Sequence, residues 1–200
     1  MRAALSPALV LLAAPVLAQD GPSFDCAKAE SSAEELVCAD ADLAALDRRV
    51  ADRYVAALEV IRGLDSGAAE AEDDLRATQR GWIGGRDECW KAEDLRDCVE
   101  WSYQRREAEL VTQWMLEDPV STVEYLCEDQ SAFAVMIFET ELPSLRIERG
   151  DRISTATLSP TGSGARYDAE FGAFLWMQGD EAIYRSPDPD GVETTCRVAG

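Results

Sequence analysis

Leu110-Val111-Thr112-Gln113-Trp114-Met115-Leu116-Glu117-Asp118-Pro119-Val120-Ser121-Thr122-Val123-Glu124-Tyr125-Leu126-Cys127 is the stretch in which the chain changes period. Before it, apolar residues recur at steps of three and four. After it, segments are short and rich in β-branched and aromatic residues. Asp118-Pro119 marks the change, because the residue before a proline is pushed out of the α conformation. The 200 residues therefore read as two domains, α then β, at 19–118 and 119–200, behind an N-terminal segment 1–18.

Upstream, Ser31 to Trp114 has a helical pattern. Ser32-Ala33-Glu34-Glu35 has capping-box spacing, a hydroxyl followed three residues later by a carboxylate. Leu43, Leu46, Val50, Tyr54, Leu58 and Ile61 share one helix face, and Gly63 ends that helix. Asp40 and Asp42 suit its positive end. Leu75, Thr78 and Trp82 predict another amphipathic helix, broken at Gly84-Gly85. Leu95, Val99, Tyr103, Leu110 and Trp114 predict a further one, reached through the Cys89-to-Cys98 segment. About 100 residues suffice for a small helical bundle with disulfide help.

Downstream, strands are predicted near 122–128, 132–140, 144–149, 152–158, 164–170, 172–177, 181–186 and 192–198. Alternation is clear in Phe133-Val135-Ile137 and in Leu145-Ile147. Turn chemistry separates them at Pro143, Gly150, Ser159-Pro160-Thr161-Gly162, Gly179-Asp180 and Pro187-Asp188-Pro189-Asp190-Gly191. So many short strands make a small antiparallel barrel or sandwich. Cys127 on the first strand and Cys196 on the last would tie its ends together, which chain-entropy reasoning values at roughly 4 kcal/mol.

Composition excludes several functions. Asp and Glu number 39 against 19 Lys and Arg, giving −20 with no histidine. Such a chain lacks the basic patch that nucleic acid needs, and anionic membrane surfaces repel it. Without histidine, Ser-His and Cys-His nucleophile pairs and His-ligated zinc or haem are gone, so no enzyme activity, cofactor or metal is expected. Asp188, Asp190 and Gly191 lack the further acids of a calcium loop and read as a hairpin turn. Glu34-Glu35 and Asp73-Asp74 read as solvated faces rather than glycosidase carboxylates.

Arg2, the apolar run Ala8 to Leu17 and the ending Val16-Leu17-Ala18 read as a secretory signal cleaved after Ala18. No cysteine follows at once, so no lipid or other membrane anchor is expected, and the mature chain, at −21, would be periplasmic or secreted. Six cysteines in an exported chain read as three disulfides. Cys26, Cys38, Cys89 and Cys98 lie in the first half, Cys127 and Cys196 in the second. Pairing within each half is favoured.

Tyr125-Leu126-Cys127, Ser163-Gly164-Ala165-Arg166-Tyr167, Leu175-Trp176-Met177-Gln178-Gly179-Asp180-Glu181-Ala182 and Cys196 come in an order that resembles the MliC/PliC family of periplasmic inhibitors of c-type lysozyme, over about residues 122–198. The resemblance implies an eight-stranded antiparallel β-barrel whose SGxxY loop enters the lysozyme cleft. Ser163 would donate to the catalytic carboxylates, and Gly164 would let the backbone approach closely. By itself Ser163 reads as a turn residue, and Tyr167 reads equally as a half-buried strand aromatic or a supporting residue. Trp176 reads as barrel core. Gln178 stands where the family has a lysine, and can donate only without charge assistance; Arg166 is the candidate replacement cation.

Phe24-Asp25-Cys26, Leu36-Val37-Cys38, Leu46-Asp47, Tyr54, Gln79, Trp82, Arg86-Asp87-Glu88-Cys89, Cys98 and Tyr103 resemble the LprI-type N-terminal domain over about residues 24–114. That resemblance implies the disulfides Cys26–Cys38 and Cys89–Cys98 and carries over no functional residue. The expected function is non-enzymatic inhibition of c-type lysozyme, a cationic class of enzyme toward which so acidic a chain would be steered. Residues 19–118 carry −13 and 119–200 carry −8. The alternative is a periplasmic binding or envelope-stress module for another cationic partner.

Overall fold

The computed structural model describes residues 21–200; the expected signal segment lies outside them. Four α-helices come first: α1 (Ser32–Ala39), α2 (Ala41–Arg62), α3 (Ala68–Asp87) and α4 (Leu95–Trp114). Eight strands follow: β1 (Ser121–Cys127), β2 (Ala132–Phe138), β3 (Ser144–Arg149), β4 (Arg152–Ser159), β5 (Ala165–Ala169), β6 (Phe174–Gln178), β7 (Glu181–Arg185) and β8 (Glu193–Val198). Each pairs antiparallel with the next, and β8 returns to β1, so the sheet is a closed barrel. The strand pattern alone leaves barrel and sandwich open, and the eight-stranded barrel that the resemblance implies is the one present; closure removes every free edge. No described helix is long and apolar enough to cross a membrane.

The apolar stripe of α2 is buried as its period requires, together with Val37, Leu75, Val99, Tyr103 and Leu110. Asp40 caps α2 by accepting from the Leu43 and Asp42 N–H groups. The Leu43 N–H, and then Arg96, hold its carboxyl below the ordinary carboxylate range. Cys26–Cys38 and Cys89–Cys98 staple the helical half, and Cys127–Cys196 joins directly opposed residues of β1 and β8.

Two local expectations are corrected. The capping box is built on Ser31 and Glu34, one residue earlier than expected: Ser31 Oγ accepts from the Glu34 N–H at 3.1 Å, and the Glu34 carboxylate accepts from the Ser31 N–H at 3.3 Å. The S-x-x-E spacing occurs in both registers, and the need to bury Ala33 and Val37 selects this one. Gly84-Gly85 does not break α3, which continues to Asp87. Beyond the glycines Arg86 is buried, with Nη1 donating to the Tyr103 hydroxyl at 2.7 Å, and Trp82 packs edge-on to Tyr103. Those contacts outweigh a helical glycine's cost of about 1 kcal/mol each.

Helix α4 holds the two halves together. One face packs on α2; another lies against β3 and β4. That second face is written in charged residues and so escaped the apolar period. Arg146 on β3 is buried and donates from Nη1 to the Thr112 and Gln113 carbonyls at 3.2 and 2.6 Å, in the last turn of α4. A cation there satisfies two otherwise orphaned acceptors and opposes the negative helix end. Nearby, buried Glu107 lies 2.9 Å from Arg49 Nε, and Gln104 donates to Glu141. Burial raises the Glu107 carboxyl above its ordinary value, against the opposing pull of Arg49 and Arg53. Arg146→Met is expected to cost about 2–4 kcal/mol in denaturant unfolding, by leaving buried carbonyls unpaired, and to split one transition into two. A single transition at an unchanged midpoint would show that the clamp is dispensable.

Candidate functional site: the β4–β5 loop

Residues 160–164 join β4 to β5 at one rim of the barrel. The register sets what faces where: Leu158 opposes Tyr167, which opposes Leu175, and the flanking Ser159, Arg166 and Trp176 form the next tier on the outer wall. Tyr167 is therefore core, 6 % exposed, and burial raises its hydroxyl's pKa. It supports the wall from inside and offers no contact surface. Trp176 is corrected from core to wall. It is only partly buried, because Leu175 takes the inward position. Its indole N–H donates to the Ser163 carbonyl at 2.9 Å, and the Thr161 hydroxyl donates to the same oxygen at 3.2 Å.

The loop backbone is thus pinned from two sides while the Ser163 side chain stays exposed. Among the described residues its hydroxyl has no hydrogen-bond partner. Gly164 has φ +67°, and a Cβ built there would run into the Met177 carbonyl oxygen and lie 3.0 Å from Gln178 Cγ. Only glycine fits both the left-handed backbone and this close approach. Gln178 is exposed at the end of β6, against the loop. Ser163, Gly164, Trp176 and Gln178 are thereby brought together.

Arg166 is not directed to that cluster. Its Nε donates to Asp168 at 2.8 Å and its guanidinium lies 3.9 Å over the Phe174 ring, both farther down the wall. The loop end therefore presents a free hydroxyl and a neutral amide. Among the described residues no group of three or more His, Cys, Asp or Glu side chains is arranged to hold a metal. Asp188 is bound to Arg185 in a turn, with its Oδ1 2.8 Å from Nη2.

Sequence reasoning missed Trp101. It lies off the apolar stripe of α4, is 49 % exposed, and borders a groove of 330 Å³ with Arg105, Ser159, Pro160 and Asp168. The only available signal was a tryptophan outside the heptad-like positions.

With this geometry in view, the class is a helical unit followed by a closed barrel, and each half matches a lysozyme-inhibitor family. Residues 125–193 match MliC, described as membrane-bound lysozyme-inhibitor of c-type lysozyme, and residues 26–110 match lysozyme inhibitor LprI. Lipoprotein LprI of Mycobacterium tuberculosis H37Rv is 28 % identical over 186 residues, covering 90 % of this chain and 85 % of that protein. The Mycobacterium bovis lipoprotein LprI matches to the same extent. An uncharacterized protein of Rhizobium meliloti is 41 % identical over 97 residues, covering 44 % of this chain and 68 % of that one, and the chain belongs to the same family. No solved structure matches.

Gly164→Ala is expected to destabilise the protein by at least about 1–3 kcal/mol, the scale of a side chain forced into left-handed backbone. Thermal unfolding measures it. An unchanged midpoint would show that the loop relaxes freely.

Proposed function

We propose that the protein is a periplasmic or secreted, non-enzymatic inhibitor of c-type lysozyme, and that residues 160–164 plug the enzyme's active-site cleft. In this reading the Ser163 hydroxyl donates to the catalytic carboxylates and Gly164 admits the backbone. The observation that carries it is the pinned loop with an exposed hydroxyl at its tip. A rigid loop loses little conformational entropy on insertion, and a hydroxyl aimed at a carboxylate makes a charge-assisted bond. The family relationship of both halves supports the same target. The two parts act as domains, 19–118 and 119–200, in an exported chain cleaved after Ala18. A net charge of −20 supports steering toward a cationic enzyme.

A second reading rests on Gln178. A neutral amide where the family has lysine, with Arg166 turned to Asp168, leaves the loop without a cation for an active-site acid. The barrel would then serve as a binding module for another cationic envelope partner. Titrating the mature protein into a c-type lysozyme lysis assay separates the two. Stoichiometric inhibition supports the first reading and no effect favours the second.

Ser163→Ala is expected to weaken inhibition by about 1–3 kcal/mol, the value of a hydrogen bond to a charged group. Full retention of inhibition would show that the loop is not the plug. Gln178→Lys is expected to tighten inhibition by restoring a charged donor beside the loop; an unchanged inhibition constant would place the second contact elsewhere.

A further inference from the structure

Helix α4 and strand β4 run side by side in opposite directions. The last turn of α4 meets Arg146, which opposes Thr155 on β4, while Trp101 and Arg105 meet Ser159 and Pro160 at the rim. Four residue steps along the strand from Thr155 to Ser159 cover about 13 Å, and twelve along the helix from Gln113 to Trp101 cover about 18 Å, so the helix outruns the strand. Helix α4 therefore reaches the barrel rim near Trp101, and its first turns stand beyond it. The rim it reaches is the one that carries Ser163.

The projecting part has the composition of an interface. Trp101 is 49 % exposed and Trp90, in the Cys89–Cys98 segment, is 62 % exposed. Arg105 lies over the Trp101 ring and is itself neutralised by Glu109 at 3.0 Å. Around the tryptophans Glu93, Asp94 and Asp97 are exposed, and Asp97 and Asp94 are joined to one another only through the helix cap. Lys91 lies over the Trp90 ring and is paired with Glu88, so the cations beside both tryptophans are matched by carboxylates and the surplus charge is acidic. Exposed tryptophan beside a surplus of one sign is the pattern of a binding hot spot with a steering rim.

We propose that the N-terminal turns of α4, centred on Trp101, are a second contact surface for the same lysozyme molecule whose cleft receives the Ser163 loop. The inference rests on the inhibitor reading above. The groove bordered by Trp101 and Pro160 leads into the base of that loop, so a body engaged by the loop meets α4 without any rearrangement. The acidic rim matches a cationic enzyme surface. The helical half then contributes contact area as well as field.

The test measures binding kinetics and inhibition of a purified c-type lysozyme by the full mature chain and by Trp101→Ala, Ser163→Ala, Trp101→Phe and Glu93→Lys/Asp97→Lys variants, each checked by thermal unfolding and by its oligomeric state. Trp101→Ala is expected to raise Kd about 10- to 100-fold, chiefly through faster dissociation, with an unchanged melt. Trp101→Phe should recover most of the loss, and the lysine pair should slow association at low salt. The losses from Trp101→Ala and Ser163→Ala should multiply in the double variant. If Trp101→Ala and the lysine pair both bind like the parent while Ser163→Ala loses inhibition, the second surface is wrong and the plug stands. If the parent neither binds nor inhibits, both fall. A parent that is dimeric and becomes monomeric on Trp101→Ala would assign this face to a second copy and overturn the proposal.

Discussion

A guanidinium buried against the end of a helix sets the geometry of this molecule. Arg146 leaves the barrel wall and takes the Thr112 and Gln113 carbonyls of α4. Because these are the last carbonyls of the helix, the contact fixes both where α4 lies and which way it points. The direction of α4 decides which barrel rim its other end approaches. The groove bordered by Trp101 and Pro160 follows from that choice.

The helical half has its own polar centre. Tyr103 is fully buried in α4; its hydroxyl accepts from Arg86 at 2.7 Å and donates to Asp47 at 2.9 Å. Burial raises the phenol's pKa strongly, so it stays a neutral donor between an acid and a base. Trp82 and Tyr103 both offer ring faces to the Arg86 guanidinium. One cation thereby links α3 to α2 and α4, and a satisfied buried network of this kind favours one packing arrangement over others. It also explains why glycines inside α3 are tolerated.

Apolar period exposed most of the fold. The steps of three and four from Leu43 to Ile61 and the alternation at Phe133, Val135, Ile137, Leu145 and Ile147 correspond to buried positions, except Tyr54 and Ile137, which are half-buried. Where period was silent, reading failed for identifiable reasons. Phe174 to Met177 is an unbroken apolar run, so nothing in it told Leu175 from Trp176, and only pairing with Tyr167 decides. The face of α4 that meets the barrel uses Arg105, Arg106 and Thr112, which a hydrophobic pattern counts as solvent-facing. Within the loop, the order of Ser163 and Gly164 was legible, but the indole that pins it comes from another strand. Trp101 was invisible because Ser159, Pro160 and Asp168, which border its groove, lie more than fifty residues away, across the junction of the halves.

The seam of the barrel decides how the barrel can be joined to another unit. Cys127 and Cys196 are direct cross-strand partners, and Tyr125 pairs with Val198, so the entrance to β1 and the exit from β8 lie side by side. A unit whose two ends emerge together can be appended to a foreign fold through one short splice. No strand has to be threaded, and no core residue has to be refitted. The boundary then has to supply a helix end for Arg146 and partners for Glu141, as Gln104 and Arg49 do here. The barrel is in this sense a cassette, attached along one side of its wall.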